Sequence, residues 1–273
     1  MPAGPAIGPA DPNLIFLKLG GSLITDKSRP ETARLDVLAR LAQEIAEARA
    51  ERPELRLLLG HGSGSFGHTV AARHGTRGGA RTPESWIGFQ KVWWAAHRLN
   101  RHVMDALLQA GLPAVSFPPS SHALCEGGKL VELATEPIIR ALEAGLLPVV
   151  QGDVAFDRIQ GATIVSTEQV MGCMAASLEP RRILLAGIEE GVYARYPQRD
   201  QLLADLSPTD LEQSSIGGSG EVDVTGGMLE KVSWSLSMSQ ADPELEVHIF
   251  SGVTPGNVRQ AILGTALGTR IKA

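Results

Sequence analysis

Short apolar runs that end in glycine alternate along this chain with longer segments that carry apolar residues at helical spacing. The first run is Leu14–Leu19, interrupted only by Lys18, and Gly20, Gly21 and Ser22 follow it directly. A run that is apolar on both faces predicts a strand buried inside a parallel sheet. Lys18 and the glycines should then lie at the carboxyl edge of that sheet, where open α/β folds bind their ligands.

The same alternation continues to the end of the chain. Helical spacing predicts helices at 33–52, 65–74, 83–110 and 166–178, and another that contains Lys231. Strands are predicted at 55–59, 114–117, 146–150, 183–186 and 245–250, with a hairpin at 154–165 and a final edge strand at 268–271. The alternation predicts a mostly parallel sheet covered by helices on both faces, without a linker that divides the chain.

Composition is that of an ordinary globular protein. Of the 273 residues, 43% are hydrophobic and 20% are charged, and the net charge of −5 comes without a basic block. Neither nucleic acid nor a membrane is therefore an expected partner. Two cysteines, Cys125 and Cys173, are too few for a disulfide framework or a zinc site. The first 13 residues lack the features of a signal peptide and predict a flexible tail, so a cytoplasmic location is expected.

The most informative stretch is Gly60–His68, with the sequence GHGSGSFGH. Glycines allow a close approach of the backbone, and free N–H groups before a helix form a binding site for an anion. His68 can donate a hydrogen bond or handle a proton near neutral pH. The spacing matches neither a Walker-type phosphate loop nor a dinucleotide-binding loop. A phosphate or a carboxylate is the predicted ligand.

Two further glycine-rich stretches carry lysines. GGS lies between Lys18 and Lys27, and TGGMLEK ends at Lys231. If these two stretches and Gly60–His68, the histidine stretch, lie together at one edge of the sheet, the site combines three lysines with many backbone N–H donors. Such a site suits phosphoryl transfer, in which positioning and charge stabilisation supply most of the catalysis.

The motifs KLGGSLITDK, HGSGSFGH, QGDV, DVTGGMLEK and SG…PGN…GT together resemble the amino acid kinase family, from about residue 14 to residue 271. Within that family, LGGSLITDK and SFGH are similar to the isopentenyl phosphate kinases. The resemblance implies a three-layer αβα sandwich, a homodimer, and Mg-ATP as the donor of a phosphoryl group to isopentenyl phosphate in isoprenoid synthesis. It also implies one domain, with an acceptor-binding part at about 14–165 and an ATP-binding part at about 166–273.

The resemblance assigns roles by position. The ATP phosphates would be held by Lys18, Gly20, Gly21, Ser22, Ser63, Gly227 and Lys231. Lys27 would stabilise the phosphoryl group in flight. The acceptor phosphate would be bound by His68 and by the backbone at Gly62, Gly64, Gly67 and Gly152. No general base is required, because a phosphate monoester is already an anionic nucleophile.

Three positions depart from the family pattern. Ser63 replaces a glycine of the histidine stretch, and its amide can still donate. Where the family has Ser-Gly-Asp-Asp, this chain has STEQ at 166–169, so the carboxylate that orients the lysines or Mg²⁺ is either Glu168 or absent. The nucleotide loop TDVDG of the family is AGIEEG here, at 186–191.

Other functions remain open on the sequence alone. A kinase of the same fold acting on another small anion is one, and fosfomycin fits better than acetylglutamate, glutamate or a nucleoside monophosphate, because SFGH is not the pattern of the latter three. An apolar wall would favour a prenyl tail, and its candidates are Ile87, Phe89, Val92, Trp93 and Ala96. A non-catalytic ATP-binding protein is the alternative of a different class, supported by the changes at 166–169 and 186–191.

Overall fold

Strands and helices alternate throughout the computed structural model, which describes residues 11–194, 199–213 and 226–272. The strands are β1 Leu14–Leu19, β2 Arg56–His61, β3 Ala114–Ser116, β4 Ala123–Glu126, β5 Lys129–Leu133, β6 Leu147–Gln151, β7 Asp153–Asp157, β8 Gly161–Val165, β9 Arg182–Gly187, β10 Asp205–Leu206, β11 Glu246–Ser251 and β12 Thr269–Ile271. The helices are α1 Gly21–Ile24, α2 Leu35–Glu51, α3 Gly64–His74, α4 Pro83–Gln109, α5 Glu136–Glu143, α6 Thr167–Leu178, α7 Pro208–Gln213, α8 Gly226–Ala241 and α9 Asn257–Leu263.

An eight-stranded sheet in the order β10-β12-β11-β9-β1-β2-β6-β3 forms the centre of the molecule. Its pairs are parallel, except that β11 and β12 run antiparallel. All six residues of β1 are buried, as a strand covered on both faces requires. Within β1, Lys18 lies opposite Gly60 of β2 and Leu185 of β9. The register therefore places the lysine beside the histidine stretch.

Each face of this sheet is covered by its own layer of helices. On one face α1, α2, α3, α4 and α9 bury a core against β1 and β2. On the other face α5, α6 and α8 pack against the remaining apolar side chains of the same strands. The predicted three-layer αβα sandwich with a mostly parallel sheet is thus confirmed. No helix in the described ranges is both long and apolar enough to cross a lipid bilayer.

The start of helix α6, near the site, is determined by its local sequence. In α6, Ser166 Oγ accepts a hydrogen bond from Gln169 N at 3.1 Å, and Gln169 Oε1 accepts one from Ser166 N at 2.9 Å. This is a capping box, as the sequence predicts. It places Glu168 in the first turn of the helix, which begins where β8 ends. The local sequence therefore decides where this carboxylate lies along the chain.

A second sheet of four strands, in the order β5-β4-β7-β8, was not predicted apart from its β7–β8 hairpin. Its strand β5 is half-buried to exposed throughout, so it lacks the apolar run that marks a buried strand. The prediction of 268–271 as an edge strand is wrong, because β12 lies between β10 and β11. Two residues of β10 form the actual edge, too few to give a sequence signal.

The predicted flexible tail at 1–13 is wrong for its last three residues. Asp11 forms an ion pair with Arg56 at 3.0 Å, and its carbonyl accepts a hydrogen bond from Leu14 N at 3.0 Å. Residues 1–10 lie outside the described residues, as do Tyr196 and the stretch 214–220, which the sequence predicts to be mobile. Cys125 is a buried free thiol, and Cys173 is a half-buried one.

Candidate active site

Two glycine-rich stretches meet backbone to backbone at the carboxyl ends of β1 and β2. A Cβ atom on Gly21 would lie 2.5 Å from Gly64 N, and one on Gly62 would lie 2.9 Å from Gly21 N. Gly64 also has a φ of +48°, a conformation that favours glycine. A side chain at Gly21 or Gly62 would force the two stretches apart. These glycines therefore serve the packing of the site as well as any binding of an anion.

Two buried threonines that the sequence analysis did not single out fix these stretches. Thr25 Oγ1 donates to Gly21 O at 2.7 Å and accepts from Ser65 N at 3.0 Å. Thr167 Oγ1 donates to His61 O at 2.7 Å. A threonine that immediately follows a helix or begins one is a weak sequence signal for a functional site, and only the tertiary contacts show what each of these two residues binds. The backbone amides of the site are thus held in place before any ligand binds.

A cavity of about 830 Å³ opens at this edge of the sheet. Most of the residues predicted for the site line it, namely Lys18, Gly20, Gly21, Ser22, Lys27, Gly62, Ser63, Gly64, His68, Gly152, Glu168 and Lys231. Gly67 lines an adjoining cavity instead, and Gly227 lies in the first turn of α8. The fold therefore brings together residues from five separate parts of the chain.

Lys18 forms an ion pair with Glu168, which lies in one of the stretches that depart from the family pattern. Its side chain is 7% exposed, and its Nζ lies 2.9 Å from Glu168 Oε1. Although burial opposes the charge of Glu168, the ammonium group of Lys18 keeps the pKa of that carboxyl below its ordinary value of 4.5. The sequence left open whether a carboxylate lies beside the lysines, and the carboxylate of Glu168 is in contact with Lys18.

Lys231 completes a concentration of positive charge in the cavity. Burial, together with the charge of Lys18, lowers the pKa of Lys231 from 10.5 to about 8, although Glu168 opposes the shift. A Cβ atom on Gly187 would lie 3.5 Å from Lys231 Nζ, so the glycine leaves room beside the amine. Lys27 is exposed and lines the same cavity. Three ammonium groups in one cleft favour a polyanionic ligand.

A second cavity of about 490 Å³ adjoins the first. The two share the residues Ser63, His68, Arg77, Gly152 and Ile164. Most other residues that line the second cavity are small or apolar, and they include Gly67, Ala71, Ala72, Gly75, Gly78, Val92 and Ala96. The site therefore consists of a cationic cavity and a largely apolar cavity, with His68 in the shared wall.

The predicted apolar wall is only partly correct. Val92 and Ala96, four residues apart on α4, line the second cavity. Ile87 is 53% exposed, and Phe89 packs against the ring of Phe156 with a centroid distance of 5.3 Å. The ring centroids of Trp93 and His97 lie 4.5 Å apart, with the two rings tilted by 39°. Helical spacing alone could not separate these faces, because α4 carries apolar residues around most of its circumference.

A buried carboxylate, Asp153, directly follows Gly152. The side chain of Asp153 has no exposed surface; its Oδ2 lies 3.2 Å from His97 Nε2, and its Oδ1 accepts from Val154 N at 2.8 Å. The amide of Gly152 donates to His61 O at 3.3 Å, the carbonyl that also accepts from Thr167. The QGD stretch is recognisable in the sequence as a candidate site, because it places a glycine and a carboxylate at the end of a strand. Its partner His97 emerges only in the fold.

Comparison with known proteins identifies the family. Residues 13–251 match the model of the amino acid kinase family. The isopentenyl phosphate kinases of Methanothermobacter thermautotrophicus and Methanocaldococcus jannaschii are 37% and 32% identical to this chain, each over 94% of it and 98% of their own length. A crystal structure of an isopentenyl phosphate kinase, 33% identical, matches 95% of this chain and 100% of its own with a TM-score of 0.80. As its motifs indicate, the chain belongs to the amino acid kinase family.

Proposed function

We propose that this protein transfers the γ-phosphoryl group of Mg-ATP to isopentenyl phosphate, giving isopentenyl diphosphate and ADP. One observation carries the proposal: a cavity lined by three lysines adjoins an apolar cavity through a shared wall that contains His68 and Gly152. The first suits the phosphates, and the second suits a short hydrocarbon tail. The relatives described above, similar over nearly their whole length, carry the name of this activity.

On the nucleotide side, we assign the ATP phosphates to Lys18, Lys231 and the backbone of Gly20, Gly21 and Ser22. The ion pair with Glu168 fixes the amine of Lys18, so little reorganisation is needed when ATP arrives. Mg²⁺ would enter with ATP, since this ion is commonly held by substrate phosphates and one or two carboxylates. Among the described residues, the carboxylates that line the cavity are Glu168, Glu189 and Glu230, and Glu189 also pairs with Arg199 at 2.9 Å.

On the acceptor side, we assign the phosphate to His68 and the tail to the second cavity. This cavity has a volume of about 490 Å³, within the range of about 300–1,000 Å³ that holds a drug-sized ligand. A five-carbon tail is smaller than such a ligand and therefore fits. Val92, Ala96 and Ile164 offer that tail apolar contacts. A carboxylate acceptor such as acetylglutamate would bring a second charged group against these apolar side chains and lose hydration there.

The chemistry follows from these positions. An oxygen of the acceptor phosphate forms a bond to the γ-phosphorus of ATP, and the bond from that phosphorus to the β–γ bridging oxygen breaks to release ADP. The nucleophile is already an anion, so no residue has to remove a proton. The lysines offset the charge that accumulates on the transferred group, which is the main requirement of this reaction. Lys27 is the lysine we assign to that group.

The test measures ADP release from Mg-ATP with isopentenyl phosphate and with fosfomycin at matched concentrations. We expect a kcat/KM of about 10⁴–10⁸ M⁻¹s⁻¹ on isopentenyl phosphate. A preference for fosfomycin would keep the fold and the phosphoryl transfer but reject the acceptor. Binding of ATP without turnover on either compound would favour a non-catalytic ATP-binding protein.

The homodimer and the cytoplasmic location remain predictions. An aromatic cluster of Trp86, Phe89 and Phe156 supports the dimer: Trp86 and Phe156 are 37% and 49% exposed, and the centroids of Trp86 and Phe89 lie 5.5 Å apart. Exposed clusters of this kind mark contact surfaces more often than isolated exposed residues do. Light scattering coupled to size exclusion would report the oligomeric state directly.

A further inference from the structure

Arg77 lies where the two cavities meet. It belongs to a short 3-10 turn, Thr76–Gly78, between α3 and α4, and its exposed side chain lines both cavities. Within the described part of the chain, Arg77 is the one lysine or arginine that lines the smaller, apolar cavity. A cavity that binds only a hydrocarbon tail does not need a positively charged side chain in its wall.

The turn that carries Arg77 is held by a buried residue and by backbone hydrogen bonds. Thr76 is buried, and Gly78 N donates to Gly75 O at 2.9 Å. Beyond the turn, Ala80 N donates to Gln160 O at 2.9 Å and so attaches it to the loop between β7 and β8. The backbone of Arg77 therefore has a defined position, and the reach of its side chain is limited to the shared wall and the adjacent surface.

The guanidinium of Arg77 is not used within the protein. It forms no hydrogen bond or ion pair with any residue that the structure describes. The nearby Arg81, by contrast, donates from its side chain to Ile159 O at 3.3 Å. An arginine without a protein partner, on an anchored turn and beside a cavity assigned to a phosphate, retains all of its donors for a ligand.

The acceptor side needs such a charge. An acceptor phosphate must approach the γ-phosphate of ATP, and like charges at that distance repel strongly. Burial, followed by the charges of Arg77 and Lys27, lowers the pKa of His68 below its ordinary 6.5. At neutral pH His68 therefore offers a hydrogen bond but no charge. Lys18 is already paired with Glu168 on the nucleotide side.

We propose that Arg77 binds the phosphate of the acceptor. The planar fork of a guanidinium matches two oxygens of a phosphate at once, which a lysine cannot do. The inference rests on the proposed function and adds a substrate-binding residue to those that the resemblance to the family assigns, from the stretch between the predicted helices 65–74 and 83–110.

The experiment compares the parent protein with Arg77→Gln, Arg77→Lys and the control Arg73→Gln. Arg73 is exposed on α3 and lines neither cavity. We expect Arg77→Gln to raise the KM for isopentenyl phosphate by about 10- to 100-fold, as loss of a charge-assisted contact does, with the KM for ATP unchanged. Arg77→Lys should recover part of the loss, and Arg73→Gln should behave as the parent does. An unchanged KM for isopentenyl phosphate in Arg77→Gln would overturn the proposal.

Two further measurements do not depend on turnover. Calorimetric titration with isopentenyl phosphate, and with inorganic phosphate, should show the same loss of affinity in Arg77→Gln, and equal affinities in parent and variant would overturn the proposal. An NMR titration of the His68 imidazole should show a higher pKa in Arg77→Gln and no change in Arg73→Gln. Should the parent bind isopentenyl phosphate without phosphorylating it, the proposed function fails, while the binding ratio still decides the role of Arg77.

Discussion

Replacement of Lys231 by methionine should stabilise the ligand-free protein. The amine lies in a cavity that Lys18 and Lys27 also line, and its pKa falls from 10.5 to about 8 because burial and Lys18 disfavour the charged form. A lowering of that size corresponds to about 3 kcal/mol against the charged state at neutral pH. Because the side chain is only partly buried, water screens some of this energy. We expect the free energy of unfolding to rise by about 1–3 kcal/mol at pH 7 in Lys231→Met.

Urea unfolding across a pH series tests the magnitude and the sign. The unfolded chain keeps the proton of Lys231 up to about pH 10.5, whereas the folded protein releases it near pH 8. Between these values the unfolded state binds more protons, so the stability of the parent rises with pH relative to the variant. The advantage of Lys231→Met should therefore be full below pH 8 and shrink toward pH 10.5. Comparison at each pH cancels the titration of groups that do not interact with Lys231.

The control is Lys91→Met, since Lys91 is exposed on α4. It should change the free energy of unfolding by no more than about 0.5 kcal/mol. Mg-ATP should raise the melting temperature of the parent and of Lys91→Met but not of Lys231→Met, whose kcat/KM for ATP should fall by about 10²–10³-fold. If Lys231→Met is no more stable than the parent at pH 7, the inference that the buried positive charge of Lys231 destabilises the ligand-free protein is wrong.

Three other substitutions separate the parts of the site. Glu168→Gln leaves the buried amine of Lys18 without its ionic partner and should lower the free energy of unfolding by about 1–3 kcal/mol in urea; a loss no larger in Glu168→Gln than in Glu168→Asp would contradict an electrostatic cause. Lys27→Met should lower kcat by about 100-fold with little change in KM, whereas His68→Asn should mainly raise the KM for isopentenyl phosphate; parent-like kinetics in either variant would refute that assignment. Ala71→Leu narrows the apolar cavity and should raise the KM for isopentenyl phosphate by about tenfold but leave methyl phosphate unaffected. An equal rise for both acceptors would show that the tail does not occupy this cavity.

Much of the site follows from local sequence because local rules govern it. The apolar run of β1 has to be buried on both faces, so Lys18 at its end has to lie at the carboxyl edge of a parallel sheet. The capping box at Ser166 places Glu168 in the first turn of α6 whatever the rest of the chain does. Glycines at strand ends indicate close approaches of the backbone, and the contact between Gly21 and Gly64 is one of them.

The partners of these residues follow only from the tertiary structure, because they lie far apart along the chain. Lys18 and Glu168 are joined by the pairing of β1 with β2 and by the packing of α6 beside them, which no local pattern encodes. The direction in which α4 faces decides that Val92 and Ala96, rather than Ile87, line the apolar cavity. Arg77 acquires a role because its turn is attached to the hairpin through Ala80. Sequence therefore determined which groups this protein has at its strand ends, and long-range packing determined which of them meet.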